Sequence, residues 1–170
     1  SIGADNISGL AGNDILIGLA GDDKLDGGTG IDTAVYSNNR AGATITKTAT
    51  GLTVDGVEGH DTLTSIERLQ FSDTTLAFDV DGNAGQTYRL YQAAFNRTPD
   101  LGGLGYWISG TDNGVPLLQV ASSFIASDEF KGLYGANPSN SQFVPLLYDN
   151  VLHRQPDAGG LNFWVNTLTA

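Results

Sequence analysis

Residues 3–36 repeat a nine-residue unit whose fixed points are a glycine, an aspartate two positions later and a small or aliphatic residue two beyond that. The glycines are Gly3, Gly12, Gly21 and Gly30, and the aspartates are Asp5, Asp14, Asp23 and Asp32. Ile7, Leu16, Leu25 and Ala34 fill the third position. One Gly-x-Asp-x-Leu would carry no information; four copies at one spacing predict stacked turns, in which each unit is completed by its neighbours.

Charge follows the same segment. The chain has 170 residues and a net charge of −11, and residues 1–83 hold 13 acids against 4 bases while residues 84–170 hold 6 against 4. That balance argues against nucleic acid, whose phosphates would repel it. With 40% hydrophobic residues the chain can build a core, so acids concentrated in Gly-Asp turns point to divalent cations rather than to disorder. No apolar run is long enough to span a bilayer. There is no cysteine, which removes disulfides and thiolate metal sites. The absence of methionine and of a signal-peptide pattern is read as the mark of a piece of a longer protein.

Calcium is the cation that the chemistry favours. It takes six to eight oxygens, mixing carboxylates with backbone carbonyls. Glycine at a turn permits φ > 0 and lets carbonyls point inward, the aspartate supplies charge, and the apolar residue anchors a short strand. A single repeat cannot complete such a shell, but stacked repeats can. The nonapeptides resemble the RTX repeat G-G-x-G-x-D-x-U-x, which winds a parallel β-roll around calcium ions. That resemblance implies that repeats two apart share a side, so Asp5 is expected to face Asp23 and Asp14 to face Asp32, around two or three calcium ions. Asn13 and Asp22 either contribute to the shell or polarise the turn, and Asp26 reads as a solvated outward charge.

Beyond the repeats, residues 43–57 alternate β-branched and polar side chains about Gly51 and read as a hairpin. Gly59-His60-Asp61-Thr62-Leu63 then reproduces the repeat pattern, which makes Asp61 a further calcium candidate. The run from Asp61 to Asp73 resembles the D-T-L-x-x-I-E-x-L-x-F-S-D segment that closes RTX rolls, and a cap there would cover core and sheet edge. Glu67 and Asp73 stand between calcium ligand and surface charge. Asp79-Val80-Asp81-Gly82-Asn83 mimics the start of an EF-hand loop, but Leu90 occupies the twelfth position where glutamate is required. It reads as linker and helix cap.

From residue 84 the apolar period becomes helical. Tyr88, Tyr91 and Phe95 mark one face, Leu117, Val120, Ala121 and Phe124 another behind Pro116, with Ser127 a cap and Gly135 a stop. Phe143, Leu146, Leu147 and Val151, then Leu161, Trp164, Val165 and Leu168, give two more helices. A duplication runs through this half. Tyr91-x-x-x-Phe95-x-Arg97-x-Pro99-Asp100-x-Gly102-Gly103-Leu104-x-Tyr106-Trp107 recurs 57 residues later, from Tyr148 through Arg154, Pro156 and Asp157 to Phe163-Trp164. The prolines are expected to end one helix and the aspartates to cap the next. Arg97 with Asp100, and Arg154 with Asp157, read as loop ion pairs, and both tryptophans as core rather than sugar-stacking platforms. This half resembles a bacterial family of unknown function that occurs in secreted, RTX-bearing and surface-layer proteins. It has fainter similarity to a helical lipopolysaccharide-anchoring domain.

The expected fold is therefore β + α: a calcium-bound parallel β-roll over 1–36, β capping strands and linker over 37–83, and an all-α domain of about six helices over 84–170. The expected metal residues are Gly3, Asp5, Gly12, Asn13, Asp14, Gly21, Asp22, Asp23, Gly30, Asp32 and Asp61. No zincin, nucleophile-elbow or P-loop pattern is found, His60 and His153 are too isolated for zinc, and this segment reads as non-enzymatic. Resemblance to RTX proteins implies secretion through type I machinery, folding on extracellular calcium and a location outside the cell or at its surface. The helical half would add surface-layer adhesion through polysaccharide or lipopolysaccharide. The alternative is a non-catalytic stabilising tail of a secreted hydrolase.

Overall fold

A computed structural model describes residues 2–169. The chain divides into two compact units, one ending at Asp79 and the other beginning at Val80.

The first unit is built of very short strands because every repeat allows only two or three extended residues before a glycine turn. β1 (Asn6–Ser8), β2 (Ile15–Leu16), β3 (Lys24–Asp26) and β4 (Thr33–Val35) alternate between two sheets. β1 pairs in parallel with β3, Ile7 beside Leu25, and β2 with β4, Leu16 beside Ala34. The parallel stack does not stop at Val35. Residues 37–58 leave it as a single-turn 3-10 helix at Arg40–Gly42 and a hairpin of β5 (Thr44–Lys47) and β6 (Leu52–Gly56). The stack then resumes, with β7 (Gly59–Thr64) on β3 and β8 (Arg68–Gln70) on β4. Antiparallel neighbours finish both sheets: the hairpin joins β7, and β9 (Thr75–Ala77) joins β8. The sheets run β1-β3-β7-β6-β5 and β2-β4-β8-β9, mixed and open. Their facing sides bury Leu16, Leu25, Ala34, Val54, Leu63 and Leu69, the alternation that a period of two dictates.

Six helices form the second unit: α1 (Asn83–Phe95), α2 (Leu101–Asp112), α3 (Leu117–Ala126), α4 (Asp128–Tyr134), α5 (Asn140–Leu152) and α6 (Ala158–Thr169). Its core is aromatic, with Phe124 touching the rings of Tyr91, Phe95 and Trp107 at centroid distances of 4.6, 4.9 and 5.4 Å. The duplicated motif makes two helical pairs, α1–α2 and α5–α6. Each first helix ends on a left-handed residue, Asn96 or His153, three residues ahead of the proline expected to end it. Asp100 and Asp157 then cap the second helices by accepting from the N–H of Gly103 (2.7 Å) and Gly160 (2.8 Å). A Cβ at Gly103 would sit 2.6 Å from the Tyr91 hydroxyl, and one at Gly160 3.0 Å from that of Tyr148. This close approach accounts for the second glycine of the motif.

The two copies differ in what covers them. Trp107 packs on Phe124 of α3, whereas Trp164 is 45% exposed and its ring meets that of Phe163. The expectation of a core Trp164 is corrected, because among the described residues α6 has no counterpart of α3 lying over it. One of the two expected ion pairs is corrected as well. Arg97 does pair with Asp100, at 3.7 Å, and bonds more closely to Glu129, at 2.6 and 3.0 Å. Arg154 lies over the Tyr148 ring and reaches the Gln155 carbonyl instead of Asp157. Glu129 stands in the first turn of α4, and among the described residues no helix matches α4 beside the second copy.

Candidate cation ladder of the β unit

Stacking places the carboxylates in two rows. One row is Asp5, Asp23 and Asp61; the other is Asp14, Asp32 and Glu67. Within each row the backbone N–H of one rung donates to a carboxylate oxygen of the next. Asp5 N reaches Asp23 Oδ1 at 2.8 Å, and Asp23 N reaches Asp61 Oδ1 at 2.9 Å. Asp14 N reaches Asp32 Oδ1 at 2.8 Å, and Asp32 N reaches Glu67 Oε2 at 2.9 Å. Parallel pairing alone would leave these side chains free to turn outward; the hydrogen bonds fix one oxygen of each and so aim the other.

The second oxygens are the informative ones. Asp14 Oδ2, Asp23 Oδ2 and Asp32 Oδ2 are buried with no hydrogen-bond partner, and Asp23, Asp32 and Asp61 are each no more than 2% exposed. A buried carboxylate without a partner costs several kcal/mol or more (on the order of the desolvation penalty) unless a cation or proton meets it. The oxygens point at glycines. A Cβ on Gly9 would lie 2.7 Å from Asp14 Oδ2 and 2.8 Å from the Gly27 carbonyl oxygen. One on Gly18 would lie 2.2 Å from Asp23 Oδ2, and one on Gly27 2.5 Å from Asp32 Oδ2 and 2.1 Å from the Ser65 carbonyl oxygen. Carboxylate and carbonyl oxygens thus converge where any side chain would intrude, and that mixture suits calcium. Among the described residues no three acidic or imidazole side chains gather at one point, so a bound cation would take much of its shell from main-chain carbonyls.

The other expected residues fall into two sets. Gly12, Gly21, Gly30 and Gly59 have φ between +118° and +139°, and each but the first stacks on its predecessor: a Cβ on Gly30 would meet the Gly12 carbonyl oxygen at 2.0 Å. Gly3 stands at the open start of the other stack, beneath Gly21 and Gly59, with nothing within 4 Å of a Cβ there. Asn13 and Asp22 are exposed, and their Oδ1 atoms accept from the N–H of Ile31 and His60 at 2.9 Å. They hold the turns in register. Asp26 is exposed on β3. Asp73 lies off the ladder and accepts from the N–H of Arg40 at 2.8 Å.

Three features escaped the sequence reading. Gly9, Gly18 and Gly27 recur every nine residues five positions before an aspartate. Of the two acids left between ligand and surface charge, Glu67 occupies an aspartate position of the ladder. His60 lies at the start of β7 with its ring on Asp55, and that carboxylate raises its pKa above the usual imidazole value. Tyr36, 4% exposed and stacked on Phe71, keeps its hydroxyl in the interior without a hydrogen bond of good geometry. Burial, followed by the neighbouring Asp61 carboxylate, pushes that phenol well above its ordinary range. Burial likewise pushes Asp61 and Glu67 above the usual carboxylate range, opposed in part by the N–H groups of Asp23 and Asp32 that they accept from.

Comparison with known proteins bears on both ends of the chain. Residues 1–34 match the RTX calcium-binding nonapeptide repeat (4 copies). Residues 121–170 match the Domain of unknown function (DUF4214), an interval that takes in α4 to α6 and the second copy of the duplicated motif. No curated protein matches the chain. Among solved structures, the extracellular lipase LipA from Serratia marcescens is similar at 25% identity, with a TM-score of 0.28. The likeness covers 44% of this chain and 14% of the lipase. The ladder and these matches agree that the chain carries an RTX calcium-binding nonapeptide-repeat segment, of the kind typical of secreted proteins, followed by a DUF4214 domain.

Proposed function

We propose that the β unit is a calcium-triggered folding module of a secreted bacterial protein, and that the helical unit serves attachment to a cell surface. The observation that carries the first part is the set of three buried, partnerless oxygens on Asp14, Asp23 and Asp32. Asp5 and Asp61 lie in the same rows and complete the carboxylate set, with Gly12, Gly21 and Gly30 shaping the turns and two or three ions filling the stack. Without cation, six acids against Lys24 over residues 1–35 repel one another. At the low calcium of a cytosol the segment stays unfolded and suits export by type I machinery; millimolar calcium outside drives folding, so that binding energy becomes folding energy. Calorimetric titration with calcium, followed by circular dichroism with and without chelator, tests this. A chain that binds no calcium, or binds it with no gain in β signal, overturns the reading.

Attachment rests on the helical unit's own surface. A cleft of about 570 Å³ is lined by Arg89, Gln92, Asn96, Arg97, Asn150 and His153, placing cationic and amide groups together in an otherwise acidic protein. Phe163 and Trp164 stand exposed at 62% and 45% and offer aromatic faces, which suit sugar stacking. Both features fit a surface polysaccharide or the phosphorylated sugars of lipopolysaccharide. A glycan array and a lipopolysaccharide pull-down, each with and without calcium, are expected to give binding; silence on both leaves a spacer. The unit has no assigned catalytic role in this reading.

A further inference from the structure

The turn that ends the parallel stack differs from those before it. β1 to β2 and β3 to β4 are joined by six residues, Gly9–Asp14 and Gly27–Asp32, whereas β7 to β8 is joined by three, Ser65–Glu67. Ser65 takes a left-handed conformation, φ 52°, to make so tight a turn. The shortening removes both the glycine and the aspartate that the nonapeptide would place there. Each is replaced. The Ser65 carbonyl oxygen stands toward Gly27 as the Gly27 carbonyl stands toward Gly9, within 2.1 and 2.8 Å of the respective Cβ positions. Glu67 accepts from Asp32 N at 2.9 Å, as Asp32 accepts from Asp14 N at 2.8 Å. The additional methylene of glutamate supplies the reach that the shorter turn withdrew.

Between these groups lies Asp32, with no exposed surface and with Oδ2 unpartnered and aimed toward Gly27 and the Ser65 carbonyl. Arg68, the nearest base in sequence, directs its guanidinium to Asp79 and to the Glu67 carbonyl. We propose that Asp32, the Ser65 carbonyl and Glu67 form a separate calcium site that fastens the closing turn to the last nonapeptide. The inference rests on the calcium reading of the β unit and adds to it one site in which glutamate replaces the repeat aspartate. Calcium there ties β8, and through it β9, to β4, so capping strands and roll become ordered together.

Glu67→Gln keeps an oxygen to accept from Asp32 N while removing the charge. Calcium titration calorimetry of the intact chain is expected to show E67Q losing one equivalent of calcium, or binding it about tenfold or more weakly, with the remaining equivalents unchanged. E67Q that matches the wild type in stoichiometry and affinity overturns the site and leaves the calcium reading intact; a wild type that binds no calcium overturns the calcium reading itself. A measurement without substitution guards against a misfolded variant. With Mn2+ as the probe, the wild-type amide signals of Ser65–Glu67 should broaden along with those of Gly9–Asp14. If the first set stays sharp while the second disappears, the site is overturned.

Discussion

The two units bury opposite things. In the β unit an aliphatic core runs beside three buried aspartates, Asp23, Asp32 and Asp61. The helical unit buries Tyr91, Phe95, Phe124, Phe130 and Tyr134, and its buried polar residues are the uncharged Thr87 and Thr111. The helical core is satisfied by its own side chains, edge-to-face rings among them. The β core leaves carboxylate oxygens that only a cation or a proton can answer. One unit carries its stability within its sequence, and the other depends on its solvent. The difference teaches why a chain with 40% hydrophobic residues can still bury carboxylates that call for a counter-charge.

The largest expected effect breaks that comparison most directly. Removing calcium with a chelator should abolish the β signal in circular dichroism while the helical signal at 222 nm persists; joint loss of both, or of neither, would refute the division. Acid modulates this. Asp61 and Glu67 have folded pKa values raised by burial, so their contribution to the cation-free fold is present below the unfolded carboxylate value. It is lost as pH rises through the raised one. The chelated protein should therefore retain more β structure near pH 4 than at pH 7, and calcium affinity should fall along the same descent, since protons and calcium compete for these oxygens.

How far the sequence reveals this depends on whether a feature is local. The ladder is legible because a constant spacing of nine puts like residues on like rungs, and Gly59-His60-Asp61 shows the same pattern after the hairpin. Glu67 stays undecided in the sequence because its row jumps 35 residues from Asp32 where the preceding rung took 18, so no period separates it from a surface charge. The caps at Asp100 and Asp157 follow from a three-residue rule and are legible. The partner of Arg97 is not: Glu129 lies 32 positions away, and an acid three residues on is the nearer guess. Trp164 shows the limit of the duplication itself. Equal motifs gave equal local structure, yet burial is decided by what packs on top, and Phe124 covers only the first copy.

Next in size is Phe124→Ala. Its ring contacts three other aromatics and is 3% exposed, so its loss should cost about 3–5 kcal/mol. The helical transition should fall in temperature while the calcium-induced β signal stays; a lost β signal would show that the units are not independent. The tryptophans sharpen the contrast within the helical half. Trp107→Ala should cost about 2–3 kcal/mol because its ring leans on Phe124, and Trp164→Ala should cost less than about 1 kcal/mol. Equal costs by thermal or denaturant unfolding would mean that Trp164 is covered in solution.

The smallest effect separates charge from stacking at Arg97. Its guanidinium bonds to both oxygens of Glu129 and lies 5.6 and 5.7 Å from the ring centres of Tyr91 and Phe95. Arg154 keeps the stacking, 5.3 Å over Tyr148, with the Gln155 carbonyl in place of a carboxylate. Glu129→Gln removes the ion pair and keeps the stacking, and exposed pairs of this kind contribute well under about 1 kcal/mol. The Arg97 hydrogen bonds hold the Glu129 carboxyl below its ordinary pKa, so the contribution is present above the unfolded carboxylate value and fades as pH falls through the lower one. Arg97→Ala loses both interactions and should cost more than E129Q by the cation–π part, which Arg154→Ala should match on its own. A double-mutant cycle measured at pH 7 and pH 3 reads the two parts separately. If R154A costs as much as R97A at pH 7, the ion pair contributes nothing and stacking is the shared role of the duplicated arginine.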